Sequence, residues 1–464
     1  MPLSFQRFLQ VCNARFVADA EALPALFAPS TDSRTLTRGE VFVCLRGPHY
    51  DGHDFIAAAI GAGTSAIVVD DASKGPRQSA VPIVRVDDAK AAYLAAASAA
   101  RQEFSGRLIG ITGSNGKTTT KEMTAQLLAA DKRVVTTPNN ENNELGVAKL
   151  CFRLNDDVDV AVAELGARHP NEIAALVDIA LPDVGVLTNV GEAHMEFFRE
   201  EEDLARTKFA IFGRGAHAVC NAADAWSRSL AAESKIDTTA LWIRLCGDPR
   251  VPGLALEAGS PQDGQVAISL GASHSFASWR LPGDHNLRNA LMACGAALQS
   301  GVPFESLCAR LGELRLPPGR FESHRTSAGA TIVYDAYNAS PTAALHALRA
   351  FLALPASRHI AVLGSMAELG PQAARHHQSV GKAAAEGGVD LLYCSGEHAD
   401  ALVDGAAQGG MPRDTVIAYG SNAEVTQLLR AQLRSGDCVL LKGSRIQHME
   451  QILEGLAEPS AVAS

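Results

Sequence analysis

The run Ile109-Gly-Ile-Thr-Gly-Ser-Asn-Gly-Lys-Thr-Thr-Thr-Lys121 constrains this chain more than any other. Residues 108–111 are apolar and few, the pattern of a strand buried on both faces. A Gly-rich turn ends that strand, and Lys117-Thr118 open a helix expected to run to about residue 130. Strand, Gly-rich turn and helix start, in that order, make a phosphate-binding loop. Its backbone N–H groups point at phosphate oxygens, the helix N-terminus adds partial positive charge, and the lysine reaches the outer phosphates. The strict pattern places a glycine five residues before Gly116. Ile111 stands there, so the match is to Gly-Lys-Thr and its setting. The nucleotide segment read from the residues is Gly113, Ser114, Asn115, Gly116, Lys117, Thr118 and Thr119, with the Thr118 hydroxyl as a Mg²⁺ ligand.

The rest of the composition narrows what such a loop serves. A chain of 464 residues is too long for one ordinary core, so several domains are expected. The formal charge of −10 argues against nucleic acid as a partner, because a phosphate backbone needs a basic face. Nine cysteines, without any Cys-x-x-Cys, read as reduced thiols of a cytoplasm. No apolar run is long enough to span a bilayer, so no membrane insertion is expected. A monomer is the expected state.

The expected fold class is α/β with three domains over residues 1–104, 105–315 and 316–464. In the N-terminal α/β domain, residues 41–45 and 65–69 read as strands and 55–63 and 88–101 as helices. The central domain reads as a P-loop ATPase-like parallel sheet, with strands at 158–165 and 184–190. It carries a small antiparallel insertion over 253–280 and a helix over 286–299. Residues 316–320, Leu-Pro-Pro-Gly-Arg, read as a hinge. Beyond it, strands at 332–337, 359–364, 391–394, 416–419 and 439–441 alternate with helices at 341–353, 377–386, 399–407 and 422–433. That alternation predicts a doubly wound, Rossmann-like C-terminal domain.

Ligands of open α/β sheets bind at strand carboxyl ends. Ala163-Glu164-Leu165-Gly166 places one carboxylate there, and Thr188-Asn-Val-Gly-Glu-Ala-His194 places an imidazole. Glu164 and His194 are therefore expected to meet metal ions at the phosphate loop. The Asn-rich stretch over 137–146 offers neutral donors and acceptors suited to sugars and amides, with Asn140 and Asn143 as candidates.

Gly113-Ser-Asn-Gly-Lys-Thr-Thr119, Asn140-x-Asn-Asn143, Glu164-x-Gly166, Asn189-x-x-x-Ala-His194, Gly283-x-His-Asn-Leu-x-Asn289 and Tyr334-Asp-Ala-Tyr-Asn-Ala-Ser-Pro341 occur in the order found in the Mur ligases. These are the ATP-dependent amino-acid-adding ligases of bacterial cell-wall synthesis, and the resemblance covers nearly the full length. Asp32-Ser-Arg34 and Asp51-Gly-His-Asp-Phe55 resemble the family's uridine-nucleotide-binding segments, which makes Ser33 and Arg34 candidate substrate contacts. The resemblance implies ATP, two Mg²⁺ ions, and a donor and acceptor of the D-alanyl-D-alanine-adding step, UDP-MurNAc-tripeptide and D-Ala-D-Ala. It implies catalytic roles for Lys117, Lys208 and His194. Lys208 matches a lysine that several members carbamylate, turning a cation into an anionic metal ligand. Asn286 and Asn289 match the adenine-contacting segment, and Arg320 and Asp335 match residues that reach the ATP phosphates and ribose. The chain departs from the usual family pattern at Ala210, where glutamate is common, and at Ser365, where aspartate is common.

A nucleotide switch that hydrolyses GTP is the rival from another class. It predicts an Asn-Lys-x-Asp motif; Ser234-Lys-Ile-Asp237 comes nearest and follows no expected strand.

Overall fold

In the computed structural model, which describes residues 3–18, 22–75, 79–138, 140–191 and 195–457, the chain forms three sheets in sequence order. The first contains β1 (Arg15–Ala18), β2 (Pro29–Ser30), β3 (Val41–Val43), β4 (Ala66–Val69) and β5 (Ile83–Arg85), in spatial order β1-β5-β4-β3-β2. Its interior strands are apolar on both faces, which fits parallel pairing, and only β1 runs antiparallel.

The central sheet contains β6 (Arg107–Thr112), β7 (Val134–Thr136), β8 (Val160–Glu164), β9 (Val184–Leu187), β10 (His217–Asn221), β11 (Leu241–Leu245), β12 (Ala255–Ala258), β13 (Gln265–Leu270) and β14 (Ser273–Ser278). The order β14-β13-β12-β11-β10-β9-β6-β8-β7 places β6 between β8 and β9. Ile111 pairs with Glu164 on one side and Thr112 with Leu187 on the other, so the loop after β6 emerges beside the carboxyl ends of both neighbours. The expected antiparallel segment is present. It is continuous with this sheet, because β12 runs parallel to β11 before the chain turns back into β13 and β14. Strands β10 and β11 had no counterpart in the sequence reading. They join the parallel ladder between β9 and β12.

The third sheet contains β15 (Glu322–Arg325), β16 (Thr331–Tyr334), β17 (Arg358–Leu363), β18 (Leu391–Cys394), β19 (Val416–Ala418) and β20 (Asp437–Lys442), in order β15-β16-β20-β17-β18-β19. Every pair but β15–β16 is parallel, and the helices Pro341–Leu352, Ala373–Glu386, Ala399–Gln408 and Asn422–Gln432 fall between strands as expected. The polar strand β15 was not expected, since charged side chains gave it no apolar signal. The last strand, β20, returns between β16 and β17, and that crossover brings Lys442 beside Asp335.

The first and central domains share one apolar core. The Ala-rich helix Ala89–Glu103 packs against helices Glu144–Phe152 and Glu172–Ala180, its small side chains allowing close approach. Buried Arg101 pins this junction. It donates to the carbonyls of Ala180 (2.9 Å) and Leu181 (3.0 Å) and to Asp183 Oδ2 (2.7 Å), which also accepts from Leu108 N. Among the described residues no helix is long and apolar enough to cross a membrane.

Candidate functional site

The loop after β6 is closed by glycines at positions where a side chain does not fit. Gly113 has φ +147° and Gly116 has φ +81°, both in the region that favours glycine. A Cβ on Gly113 would collide with the Thr188 hydroxyl, and one on Gly116 with the Asn289 carboxamide. The helix Lys117–Ala129 starts at Gly116 without any side-chain cap, so its first N–H groups face the concave side of the loop.

Two lysines converge there. Lys117 Nζ donates to the carbonyls of Gly113 (2.8 Å) and Ser114 (3.2 Å), and Lys208 Nζ, from helix Glu201–Phe209, reaches the same Gly113 carbonyl at 3.3 Å. Lys208 is 1% exposed. Burial pushes its ammonium pKa well below the usual lysine range, and the neighbouring Lys117 charge pushes it further. Burial also lowers Lys117; Glu164 opposes the shift and Arg320 adds to it. Two amines around one carbonyl, with one carboxylate nearby, suit a bound phosphate.

Beside them, Glu164 at the end of β8 is 2% exposed. Its two carboxylate oxygens accept from Thr118 Oγ1 and from Asn142 Nδ2, each at 2.9 Å. Its backbone N–H donates to Thr137 Oγ1 (3.0 Å), and the Thr137 carbonyl accepts from the buried Lys121 ammonium (2.9 Å). A hydroxyl and a carboxylate held together make a hard oxygen donor set, the kind Mg²⁺ takes. The glycine cradle and this donor set fit a nucleotide phosphate with its metal.

The remaining sequence-predicted residues divide. Asn289 lies against Gly116, and Thr120 Oγ1 donates to its carboxamide at 3.5 Å. Asn286 is buried and donates to the Pro282 carbonyl (2.7 Å), holding the turn before helix Asp284–Gln299. Across the hinge, the Arg320 guanidinium lies 4.5 Å from the centroid of the Tyr337 ring, and its Nε is buried without a hydrogen-bond partner. Asp335 forms an ion pair with Lys442 (3.0 Å) and accepts from Phe321 N (3.3 Å). A cavity of about 430 Å³ opens at this hinge, lined by Pro282, Leu316, Arg320 and Phe321 among others.

Not every expected contact meets the loop. Asn143 is the N-cap of helix Glu144–Phe152, accepting from Gly146 N (3.0 Å), and Asn140 is exposed on the preceding turn. Of the Asn-rich stretch it is Asn142 that reaches Glu164, and Gly166 leaves room for it: a Cβ there would lie 2.6 Å from the Asn142 carboxamide carbon. Its spacing from Glu164 carried no signal in sequence. In the first domain Arg34 is bound back onto Asp32 (2.6 Å) at the end of β2, with Ser33 between them, and that pairing holds the Asp32 carboxyl at about 2. His194 lies outside the described residues. Asn189 was quoted only as part of a motif; it holds Asn115 from both sides, accepting from its N–H (3.0 Å) and donating to its carbonyl (3.0 Å).

Comparison with known proteins places this geometry. The Mur ligase family catalytic domain matches residues 30–102, the Mur ligase middle domain 111–297, and the Mur ligase glutamate ligase domain 319–445. The UDP-N-acetylmuramoyl-tripeptide–D-alanyl-D-alanine ligase of Bacillus subtilis is 30% identical over 92% of this chain and 93% of its own length. The crystal structure of MurF from Acinetobacter baumannii superposes with a TM-score of 0.85 at 25% identity, covering 98% of both chains. MurF ligase from Thermotoga maritima in complex with ADP gives 0.74 at 28% identity, over 92% of this chain and 96% of that one. Matched by the family's three domain models along most of its length and by a relative of 30% identity over nine-tenths of both chains, the chain belongs to the Mur ligase family.

Proposed function

We propose that this chain is the ATP-dependent ligase that joins D-alanyl-D-alanine to UDP-MurNAc-tripeptide through an acyl phosphate. The observation that carries the reading is the convergence of Lys117 and Lys208 on the Gly113 carbonyl, beside the Thr118–Glu164 pair and facing Arg320 from the third domain. Relatives over nine-tenths of the chain carry the same activity in their names.

Amide formation from a carboxylate is blocked because oxide is a poor leaving group. A carboxylate oxygen of the tripeptide attacks the γ-phosphorus of ATP, and ADP leaves. The amine nitrogen of D-Ala-D-Ala then attacks the acyl carbon and loses a proton, and inorganic phosphate leaves. Both steps gather negative charge on crowded oxygens. Lys117 and the N–H groups at the uncapped start of helix Lys117–Ala129 face that charge, and Arg320 approaches from the opposite side. Thr118 and Glu164 would hold a Mg²⁺, which when bound neutralises phosphate oxygens.

Lys208 fits a carbamate. Burial lowers its pKa and so favours the uncharged amine that adds CO₂ and releases a proton, and the carbamate formed would place an anion beside the phosphate loop. Residues 1–104, with Ser33 and Arg34, are proposed to hold the uridine nucleotide. Residues 105–315 hold ATP, with Asn286 and Asn289 near the adenine, and His194 belongs with the metal ligands. Residues 316–464 bring Asp335 to the ribose and receive the acceptor, whose carboxylate suits the Arg445 guanidinium just beyond β20. Nine free cysteines, one of them exposed, suit a reducing cytoplasm.

The test is ATP-dependent phosphate release with UDP-MurNAc-tripeptide or UDP-MurNAc-dipeptide as donor and each of D-Ala-D-Ala, D-Ala, L-Lys and meso-diaminopimelate as acceptor. Turnover requiring D-Ala-D-Ala is expected. Faster turnover with a free diamino acid on a dipeptide-bearing donor overturns the reading.

A further inference from the structure

Asn115, at the tip of the phosphate loop, has its backbone fully engaged within the central domain. Its N–H donates to Asn189 Oδ1, and its carbonyl accepts from Asn189 Nδ2 and from Thr188 Oγ1 (2.6 Å). None of these bonds uses its side chain. The carboxamide oxygen instead accepts from Ser340 Oγ at 2.7 Å, a residue 225 positions further along and on the other side of the hinge.

Ser340 is not a loose surface hydroxyl. It is 6% exposed and N-caps the helix Pro341–Leu352, its oxygen accepting from Ala343 N at 3.3 Å. The segment leading to it is fastened to the third sheet, since Lys442 Nζ donates to the carbonyls of Asp335 (2.9 Å) and Asn338 (2.6 Å). Next to it, Thr342 approaches Gly191, whose N–H and carbonyl both bond the Ser114 hydroxyl (2.9 and 3.0 Å). The third domain thus carries Ser340 as a rigid pin, and the central domain holds Asn115 as a fixed socket. The bond forms only when the two domains are together.

We infer that Ser340 is a positioning residue of the ligase: its hydroxyl on the Asn115 carboxamide stabilises the closed arrangement that sets the third domain in register over the phosphate loop. This rests on the ligase reading above. One such hydrogen bond is worth about a fivefold shift between open and closed populations.

The test uses Ser340→Gly, Asn115→Ala and the double variant. Glycine is chosen because it replaces serine at a helix N-cap at little cost. Small-angle scattering measures compaction on adding ADP, and phosphate release is measured with and without D-Ala-D-Ala. Ser340→Gly is expected to require roughly fivefold more ADP for the same compaction. It should lower kcat by about five- to tenfold with the donor-nucleotide KM unchanged, and raise the share of phosphate released without acceptor. In the Asn115→Ala background the same change should have no further effect on compaction. Additive effects of the two changes, or an ADP response of Ser340→Gly equal to the parent's, overturn the inference. A parent enzyme that forms no amide defeats the ligase reading alone, since compaction by ADP still decides the role of Ser340.

Discussion

Glu164→Gln separates the metal role of this carboxylate from any structural one. The substitution keeps volume and both hydrogen bonds. The Gln carbonyl oxygen still accepts from Asn142 Nδ2, and the Gln amide donates to Thr118 Oγ1 once that hydroxyl turns. What disappears is one buried negative charge. Hydrogen bonds to a charged acceptor are worth about 1 kcal/mol more than neutral ones. Replacing the carboxylate also removes the group that opposes the lowering of the Lys117 pKa. The fold should therefore lose no more than about 1–2 kcal/mol. For the metal, loss of a charged oxygen ligand should weaken binding by at least about 100-fold, or about 2.7 kcal/mol. The assay is Mn²⁺ binding in the presence of ADP, followed by electron paramagnetic resonance, beside thermal unfolding without metal. Metal affinity within about threefold of the parent's would refute the metal assignment. A large fall in metal-free unfolding temperature would show instead that the carboxylate serves the fold.

Lys117→Ala should fold and bind the donor nucleotide, with ligase turnover at saturating ATP near background; near-normal turnover in the phosphate-release assay would remove Lys117 from phosphoryl transfer. Lys208→Ala should lose activity and regain part of it with added formate or acetate, whose carboxylates fill the space and offer oxygens to the metal. In carbonate-free buffer the contribution of Lys208 to stability should rise with pH toward 10.5, because its lowered folded-state pKa leaves the unfolded chain binding the extra proton in that window, against the opposite trend of the buried cysteine thiols, whose pKa values are raised. Lys208→Met should flatten that rise and unfold at a higher temperature than the parent at neutral pH, as read by calorimetry. Arg320→Ala and Asp335→Ala should lower kcat while sparing affinity for UDP-MurNAc-tripeptide, and titration with that nucleotide alone checks it.

Legibility in the sequence followed local pattern. The phosphate loop, β6 and the strand–helix alternation of the third domain were readable because apolar runs, glycines and Lys-Thr act over a few residues. Strands β10 and β11 went unread, although four of the five positions in β11 are buried and glycine turns flank both, because neither run carries a motif. Residue roles that depend on pairs distant in sequence were legible only in part. Nothing near Asn142 or Ser340 distinguishes them from the cap residues Asn143 and Ser421, since the partners that give them roles, Glu164 and Asn115, lie 22 and 225 positions away. Lys208 is the sharpest case. On a helix with charged neighbours it has the pattern of a solvated lysine, and only packing against the phosphate loop turns it into a buried amine.

The two domain junctions are built from different forces, and that difference assigns the moving part. Between the first and central domains the contact is a continuous apolar core, locked by buried Arg101 on two carbonyls and a carboxylate. Parting them would expose that core and leave a buried charge unpaired, which costs several kcal/mol. Between the central and third domains the contacts are polar or small: the Asn115–Ser340 hydrogen bond, the Arg168–Glu368 ion pair at 3.4 Å and the stacked rings of His285 and His346 at 5.6 Å. Water replaces most of these at small cost. The cationic groups Lys117 on one side and Arg320 on the other face each other across this polar seam, and Arg320 lowers the Lys117 pKa. Without an anion between them these charges oppose closure, and with a nucleotide phosphate between them they favour it. The nucleotide itself is therefore the cement of the closed form. The third domain should open when the phosphate leaves, while the first and central domains remain one body.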